Sequence, residues 1–491
     1  MDQNKTPLFD AIMEYNERKP AYFRIPGHRF ERGINQRWRD VVGDEIFKFD
    51  LTETPYTDDL HNAEGSIKEA QELASEVFHS DQTYFLINGT TCGNQAMVLT
   101  AALEGETVAI LRNAHKSALM GLIMSGAKPL YIMPQLHKEW GLHGGVRPED
   151  VETLFHEHPE CKGLMVVSPT YYGICSDIRG IAEVCHRHGA ILFVDEAHGA
   201  HCYFSDQLPE GGLVQGADMV SQSIHKVTGS LTQSSMLHAR FERVDRARLE
   251  GNLHLVQSTS PNYLLLTSLD MARHDLAMHG EELIANAVEL AKYARQQINE
   301  IPGIRCAGRE LIGTAGIANV DETRLVISAA DLGVEGFRLE ELLFEDHKCE
   351  VELSDYNNVL AIITFANVKE DVDRLIEALK DIARRFGRCM KLPEGKALPP
   401  QPEMVITPRR AYFSATETVA WEMAKGQISA EMIAPYPPGI PVIYPGERMS
   451  DEVWAFLEEY RARGAHLQGP ADPKLNTLRV IKESDESMYR E

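Results

Sequence analysis

The sequence predicts an α/β fold in which helices cover both faces of a mostly parallel sheet. Between about residues 66 and 240, short apolar runs typical of strands alternate with helical segments. This alternation is typical of parallel sheets with crossover helices. In addition, a polar cluster follows each of four of these runs, and ligands of such sheets bind at the carboxyl ends of the strands. We therefore expect the functional site at that edge of the sheet.

The rest of the chain is predicted to form an arm and smaller units. Residues 1–60 are rich in turns and predict an N-terminal arm with one short helix. Residues 61–300 predict the large domain, which ends in a long helical stretch. Residues 301–387 predict a small α/β domain with three strands and a helix. A Pro-rich linker (388–404) then leads to a C-terminal domain (405–491).

Composition and charge argue against several classes of function. The 491 residues carry a formal net charge of −24, whereas nucleic-acid binding demands a basic face. No apolar run approaches the roughly 20 residues of a membrane span, and the N-terminus has no signal-peptide core. The eight cysteines form no CxxC pair, which argues against a zinc site and a disulfide framework. We expect a cytoplasmic protein without a metal, a nucleic-acid partner or a membrane partner.

One of the four clusters contains a lysine, Lys226, in the run SQSIHKVTGS. A lysine that condenses with an aldehyde must be held close to it and be deprotonated at attack. A single lysine in a loop usually lies on the surface. Here Ser223 and His225 flank it as donors suited to a phosphate, so the context favours a Schiff-base lysine.

Two further clusters contain groups suited to an aromatic cofactor. Asp195 ends the apolar run AILFV, where a carboxylate is costly unless it is paired, and a protonated pyridine nitrogen is a suitable partner. His198 lies three residues further on and could reach a phenolic oxygen of the same ring. His115 opens a helical segment, where an imidazole can lie flat on the ring.

The fourth cluster, Gly89, Thr90 and Thr91, is suited to a phosphate. It precedes a helix predicted to begin near Asn94, and main-chain amides at a helix N-terminus bind anions. The four clusters together supply an amine, a carboxylate, a stacking ring and phosphate donors. These are the contacts that pyridoxal 5'-phosphate (PLP) requires.

The clusters lie within stretches that resemble the bacterial ornithine/lysine/arginine decarboxylases, a family of fold-type-I PLP enzymes. The resemblance is to the shorter, Bacillus-type arginine decarboxylases in particular. The matching stretches keep the family's order almost from end to end: FRIPGHR, DDLHNAEGSIKEAQ, NGTTCGN, RNAHKS, SPTYYG, VDEAHGAH, SIHKVTGSLTQSS, STSPNY and YPPGIPVIYPGE.

The resemblance implies an aspartate-aminotransferase-like large domain and roles for individual residues. PLP would be bound to Lys226, with its ring nitrogen on Asp195 and His115 stacked over the ring. His198 matches a position that contacts the phenolic oxygen in relatives. The implied phosphate contacts are Thr90, Thr91, Ser223 and His225, together with Ser258, Thr259 and Ser260 from a neighbouring subunit. A homodimer is therefore the smallest active unit that the resemblance implies.

The expected reaction is decarboxylation of a basic amino acid, with Lys226 or His115 returning a proton to the α-carbon. The resemblance favours arginine, giving agmatine and CO2 for polyamine biosynthesis. Lysine and ornithine, giving cadaverine and putrescine, are alternatives, as are a PLP aminotransferase and a PLP-binding protein without turnover. An aminotransferase would need an arginine for the α-carboxylate, and Arg409 or Arg410 could be cast in that role.

A cationic substrate side chain needs an anionic recess. The candidate acids are Asp58, Asp59, Glu352 and Asp355. The sequence does not choose among them. A nucleotide-binding protein built around GTTCGN is disfavoured, because the basic and metal-binding residues that phosphate chemistry needs are lacking.

Overall fold

The computed structural model describes residues 1–30, 32–387, 398–435, 440–462 and 466–482. Most of the predicted linker (388–397) lies outside the described residues, and so does the YPPG stretch (436–439). No helix in the described ranges is long and apolar enough to cross a membrane.

The helices follow the predicted alternation through the large domain and continue beyond it. Their bounds are α1 (Pro7–Glu17), α2 (Gln36–Val42), α3 (Ser66–Val77), α4 (Gly89–Ala101), α5 (Lys116–Ser125), α6 (Pro148–Glu157), α7 (Ile178–Arg187), α8 (Ile224–Val227), α9 (Arg246–Val256), α10 (Tyr263–Asn299), α11 (Gly336–His347), α12 (Lys369–Phe386), α13 (Pro408–Phe413) and α14 (Asp451–Ala462).

The strands of the described residues are short. Their bounds are β1 (Gln82–Leu86), β2 (Thr107–Leu111), β3 (Lys128–Ile132), β4 (Leu136–His137), β5 (Leu142–His143), β6 (Gly163–Val167), β7 (Ile174–Cys175), β8 (Ile191–Asp195), β9 (Met219–Gln222), β10 (Ser235–Ala239), β11 (Arg305–Cys306), β12 (Asn319–Val320), β13 (Arg324–Ser328), β14 (Leu353–Ser354), β15 (Val359–Ile362), β16 (Thr416–Ala420), β17 (Ala434–Pro435), β18 (Leu467–Gln468) and β19 (Thr477–Ile481).

The large domain is built on a seven-stranded sheet of order β1-β10-β9-β8-β6-β2-β3. The neighbouring pairs from β9 to β3 are parallel, and only β10 runs against its two neighbours. The middle strands are apolar and buried, as expected of strands covered on both faces. The predicted mostly parallel α/β sheet is confirmed. The carboxyl ends of β1, β2, β8 and β9 consequently lie at one edge of the sheet.

The small domain packs helices against a four-stranded antiparallel sheet of order β11-β13-β15-β14. In α12 the buried side chains recur at helical spacing (Val372, Leu375, Ile376, Leu379 and Ile382) while charged residues cover the other face, as in an amphipathic surface helix. The long α10 contributes its C-terminal half to the same core. A short ribbon between β12 and β7 also joins this domain to the large domain.

The C-terminal residues form a separate core around Trp421 and attach to the end of β2. The Arg112 guanidinium, directly after β2, is buried and pairs with the buried carboxylate of Glu447 (Nη2–Oε2, 2.7 Å). It also donates to the Val442 carbonyl oxygen (3.1 Å), and its Cζ lies 4.7 Å and 4.4 Å from the ring centroids of Tyr131 and Tyr444, which stack on each other. This ion pair fastens the C-terminal unit to the same sheet edge that carries the predicted site.

Candidate active site

Lys226 and His198 contact each other at the carboxyl edge of the sheet. Lys226 lies in the short helix α8, just after β9. Its Nζ lies 3.0 Å from His198 Nε2 and 5.1 Å from the centroid of the Tyr171 ring. The Tyr171 ring in turn packs on the His198 ring with centroids 4.3 Å apart. The amine is therefore held by an imidazole and an aromatic face.

Burial shifts the protonation of this pair toward the neutral forms. It lowers the pKa of Lys226, against the opposing negative charges of Asp195 and Glu352. Burial, followed by the positive charge of Lys226, holds the pKa of His198 well below its ordinary value. A neutral imidazole offers one ring nitrogen as an acceptor, so Lys226 Nζ can donate to His198 Nε2. Such a lysine meets the requirement for a nucleophilic amine.

Asp195 ends β8 as a buried carboxylate with neutral hydrogen-bond partners. It is 3% exposed. Its Oδ2 accepts from Asn94 Nδ2 (2.7 Å) and its Oδ1 accepts from the main-chain N–H of Ala197 (3.2 Å). A buried carboxylate without a bonded cation is costly. A protonated ring nitrogen would supply the missing cation, so the geometry fits a pyridinium.

His115 is linked to Asp195 by a chain of hydrogen bonds. It is the N-cap of α5, where its Nδ1 accepts from the Ser117 N–H and lies 2.9 Å from Ser117 Oγ. Asn94 Nδ2 donates to both Ser117 Oγ (2.9 Å) and Asp195. Loss of hydration lowers the pKa of His115, against the pull of Asp195. The neutral ring therefore carries its proton on Nε2.

The predicted phosphate residues meet at the first turn of α4. This helix begins at Gly89, five residues earlier than the sequence predicts, so Gly89, Thr90 and Thr91 form its first turn instead of preceding it. Thr90 Oγ1 lies 2.6 Å from Ser223 Oγ and 3.1 Å from Ser235 Oγ. Hydroxyls at a helix N-terminus are suited to an anion.

Unpartnered polar atoms and a close approach of α4 to β9 also mark this region. A Cβ on Gly93 would lie 2.2 Å from Ser221 Oγ, so α4 can lie this close only with glycine at that position. Within the described part of the chain, Ser221 Oγ, Asn94 Oδ1 and His198 Nδ1 are buried without a hydrogen-bond partner. Buried polar atoms normally have partners. The residues present thus fit a bound polar group such as PLP.

His225 uses its only ring N–H, when neutral, in a hydrogen bond to the main chain. Its Nδ1 donates to the Ser234 carbonyl oxygen (2.8 Å), because a carbonyl can only accept. Burial lowers its pKa, so in the neutral ring Nε2 is an acceptor. His225 would have to gain a proton to donate to a phosphate from that atom.

The Ser258–Ser260 segment is exposed and lies beside the start of α4. The Ser258 N–H donates to Asn88 Oδ1 (3.2 Å), and the Ser258 carbonyl oxygen lies 2.8 Å from His61 Nε2. The exposed side chains of Ser258, Thr259 and Ser260 are thus presented outward from the single chain.

Asp58 and Asp59 act within the arm. Asp58 Oδ2 accepts from the main-chain N–H groups of Gly65 (2.8 Å) and Ile67 (3.0 Å) at the start of α3. Asp59 Oδ1 accepts from the His61 N–H (2.9 Å). Both acids line a cleft of about 480 Å³. The Asp58 carboxylate therefore caps the N-terminus of α3 by accepting hydrogen bonds from main-chain N–H groups.

Glu352 and Asp355 differ in their surroundings. Asp355 accepts from the Tyr172 hydroxyl (2.6 Å) and from the Asn357 N–H (2.8 Å), and burial raises its pKa. Glu352 is exposed, and its charge acts on Lys226. Of the four candidate acids, Glu352 is the one whose charge reaches the central amine.

Arg409, one of the two arginines considered for an aminotransferase, contacts α5. Its Nη1 donates to the Ile123 carbonyl oxygen (2.9 Å) near the end of that helix.

A second group of residues resembles a metal site. Among the described residues, Glu152, His156 and His188 have ligand atoms within 4.8 Å of one another. The guanidinium of Arg187 already pairs with the Glu152 carboxylate, so we interpret the cluster as ion pairs between α6 and α7.

Several site residues were missed by sequence reasoning. Four residues contact the predicted ones although the sequence by itself assigns them no role: Asn94, Ser117, Tyr171 and Ser235. Asn94 and Tyr171 lie within the quoted stretches NGTTCGN and SPTYYG, so that signal was present. Arg324, whose Nη2 donates to the His198 carbonyl oxygen (3.0 Å), lies in a stretch without a chemical signature.

Comparison with known proteins identifies the family. The profile described as "Orn/Lys/Arg decarboxylase, major domain" matches residues 6–371, and that of the C-terminal domain matches residues 394–472. The chain belongs to this family. The family predicted from the motifs is therefore confirmed, and a decarboxylase is the class of enzyme to which the chain is related.

The similarity to individual relatives covers nearly the whole chain. It is 40% identical to a protein of Halalkalibacterium halodurans named arginine decarboxylase, over 98% of this chain and 99% of that one. It is 39% identical to the arginine decarboxylase of Bacillus subtilis, again over 98% and 99%. The structure of the constitutive lysine decarboxylase of Escherichia coli superposes with a TM-score of 0.81 at 22% identity, covering 98% of this chain and 82% of that one. This last likeness confirms the predicted fold.

Proposed function

We propose that this protein is a PLP-dependent arginine decarboxylase that releases agmatine and CO2. The observation that carries the proposal is the contact of Lys226 with His198 beside Asp195, in a chain 40% identical over nearly its full length to an arginine decarboxylase. The lowered pKa of Lys226 supports its role as the amine that binds the cofactor aldehyde.

PLP, when bound, supplies an electron sink for the bond that releases CO2. The chain's own residues bind and orient it. The Asp195 carboxylate would hold the proton of the ring nitrogen, and Asn94 donates to that carboxylate and fixes its orientation. His198 Nε2 accepts from Lys226 Nζ before the amine reacts. Lys226 Nζ or His115 Nε2 would deliver a proton to the α-carbon of the substrate.

The first turn of α4 and the Thr90–Ser223 pair are proposed to bind the phosphate. Thr91 lies in the same turn, and His225 would join when protonated. We further propose a homodimer in which the exposed Ser258, Thr259 and Ser260 reach the phosphate site of the partner subunit. Their exposure in the single chain supports such a contact.

The guanidinium of the substrate is proposed to be held by Glu352. Its side chain is exposed and its negative charge acts on Lys226, which supports a place near the reacting amine. Asp355, by contrast, is engaged by Tyr172 and the Asn357 N–H. We also propose a cytoplasmic location, supported by the seven described cysteines, which form no disulfide.

The decisive experiment incubates the purified protein and PLP with arginine, lysine and ornithine separately and measures CO2 and the amine formed. We expect agmatine as the main product. Cadaverine or putrescine as the main product would move the substrate within the family. A keto acid in place of CO2 would contradict decarboxylation. In the same assay Lys226→Ala should lose both turnover and the visible absorbance of bound PLP, and persistent turnover would overturn its assignment.

A further inference from the structure

A buried charge network lies between the small domain and the loop that carries His198. At the start of β13, Arg324 donates through Nη2 to the His198 carbonyl oxygen (3.0 Å) and through Nη1 to Thr323 Oγ1 (2.9 Å). Asp321 Oδ2 lies 3.3 Å from Arg324 Nη1 and 3.0 Å from His201 Nε2. The side chains of Arg324 and Asp321 are both 0% exposed. One ion pair of the small domain thus contacts two residues of the DEAHGAH stretch.

The same network holds the loop that carries Tyr171. The Asp321 N–H donates to the Gly173 carbonyl oxygen (2.7 Å), directly beside the β12–β7 ribbon. A Cβ on Gly173 would lie 2.8 Å from Arg324 Cγ and 2.9 Å from the Asp321 carbonyl oxygen. Gly173 also has φ +78°, a conformation that favours glycine. The loop is therefore pressed against the pair, two residues from the Tyr171 ring that covers Lys226.

We propose that Arg324 and Asp321 are positioning residues, which fasten the His198 main chain and the Tyr171 loop to the small domain and so hold both against Lys226. This inference rests on the proposed function, because it takes Lys226 as the reacting amine. Breaking a buried ion pair by removing one partner is costly. The small domain therefore cannot shift relative to the large domain without disturbing the Lys226–His198 contact.

The network also acts on this contact through its charge. The positive charge of Arg324 lowers the pKa of His198, on which burial and the charge of Lys226 have larger effects. It also lowers the pKa of Lys226, on which burial and the opposing charges of Asp195 and Glu352 have larger effects. Removing that charge raises both pKa values, so the amine loses its proton only at higher pH. The other charged or titratable groups that face the pair are Asp195 at the end of β8, Tyr171 before β7, Glu352 before β14, His115 at the start of α5, and Asp321 and His201 within the network.

The test compares Arg324→Met with Arg324→Lys in the PLP-loaded protein. The readouts are the pH midpoint of the visible spectrum, and kcat and KM for arginine. In Arg324→Met we expect the midpoint to rise, because the Lys226 nitrogen, which also takes up a proton when PLP is bound to it, loses a nearby positive charge. In Arg324→Lys the charge stays, so the midpoint should remain near that of the wild type. A single ammonium cannot reproduce the guanidinium's fork of bonds, so kcat should fall about tenfold or more while KM changes little.

Arg273→Met is the matched control for a merely structural effect. Arg273 and Asp270 form the same kind of pair within α10, three residues apart and 0% exposed on both sides, and Arg273 also donates to the Gln3 carbonyl oxygen at the start of the arm (3.0 Å). Both methionine variants should lower the melting temperature. Only Arg324→Met should move the spectral midpoint. An equal shift in Arg273→Met, or an unchanged midpoint in Arg324→Met, would overturn the proposal.

If Arg324→Met does not fold, Arg324→Lys tests the proposal alone. Wild-type kcat in Arg324→Lys would overturn the positioning role of Arg324. The spectral midpoint needs no substrate, so failure to decarboxylate arginine sinks the proposed function without affecting this readout. If no visible band forms, competitive acetylation of Lys226 followed by peptide mass spectrometry gives the pH midpoint in the same variants. The two ideas can therefore fail separately.

Discussion

The state of Lys226 depends on a few neighbours that come from distant parts of the chain. His198 lies 28 residues before it in sequence and yet 3.0 Å from its amine. Burial disfavours the charged amine, while Asp195 and Glu352 favour it. The lysine therefore gives up its proton more readily than an exposed lysine, as expected of an amine that must be neutral to react.

At this scale, the role of Glu352 can be tested with Glu352→Gln. Loss of the carboxylate should raise KM for arginine roughly threefold to tenfold, the range of an ion pair with partial exposure, with little change in kcat. It should also lower the pKa of Lys226 further, because an anion that favoured the charged amine is gone, and so move the pH profile to lower pH.

Glu350→Gln is the matched control for Glu352, since it removes an exposed carboxylate two residues earlier in the chain. We expect wild-type kinetics from it. Steady-state kinetics across pH for both variants would show the difference. Equal effects of the two substitutions would exclude Glu352 as the substrate's anionic partner.

Among the elements, α4 does most to shape the side of the site where we propose that the phosphate binds. Its first turn carries Gly89 and Thr90, and its second turn packs so closely on β9 that only glycine fits at position 93. The helix begins where the chain leaves β1, which brings its N-terminus to the edge shared with β8 and β9.

Gly93→Ala is expected to push α4 away from β9. The added Cβ would meet Ser221 Oγ at 2.2 Å and Leu86 Cδ1 at 2.9 Å, and overpacking of this kind costs about 1–3 kcal/mol. The melting temperature should fall, and the dissociation constant for PLP should rise because the first turn moves.

The control for this substitution is Gly251→Ala in α9, where a Cβ meets nothing within 4 Å. Alanine there should be neutral or stabilising by up to about 1 kcal/mol, with unchanged PLP binding. If Gly93→Ala behaves like Gly251→Ala, the close approach of α4 does not matter for the site.

Across the whole molecule, the small domain and the C-terminal unit both reach the same sheet edge through buried arginines. Arg324 extends from the small domain to the His198 loop, and Arg112 extends from β2 to Glu447 of the C-terminal unit. Arg112 lies three residues before His115. The site is therefore held from two sides by units that follow the large domain in sequence.

Glu447→Gln should loosen the C-terminal unit, because it leaves the Arg112 charge buried and unpaired. The expected loss of stability is about 3–5 kcal/mol. Melting temperature and limited proteolysis of the C-terminal unit would measure it, and arginine decarboxylation should fall in parallel.

Glu403→Gln, near the end of the predicted linker, removes the partner of Arg448 of the C-terminal unit in an exposed pair (side chains 69% and 43% exposed). It should cost less than about 1 kcal/mol and leave activity intact. A Glu447 variant as stable and protease-resistant as the Glu403 variant would contradict the anchoring role of Arg112.

Local pattern in the sequence was enough to predict the mostly parallel sheet, the edge that carries the site, and Lys226 and Asp195 as its central candidates. These features depend on the alternation of apolar and polar residues and on groups next to strand ends, all of which are contiguous in sequence. The family followed from short motifs in a fixed order.

Only the tertiary structure decided which groups meet. Lys226 contacts His198, Arg324 contacts the His198 main chain across 126 residues, and Asp58 caps α3. None of these could be predicted from spacing, because each depends on how separate elements pack against one another. The sequence determined which residues stand at the strand ends, and the packing of two further units against one sheet edge decided the partners and charge of each.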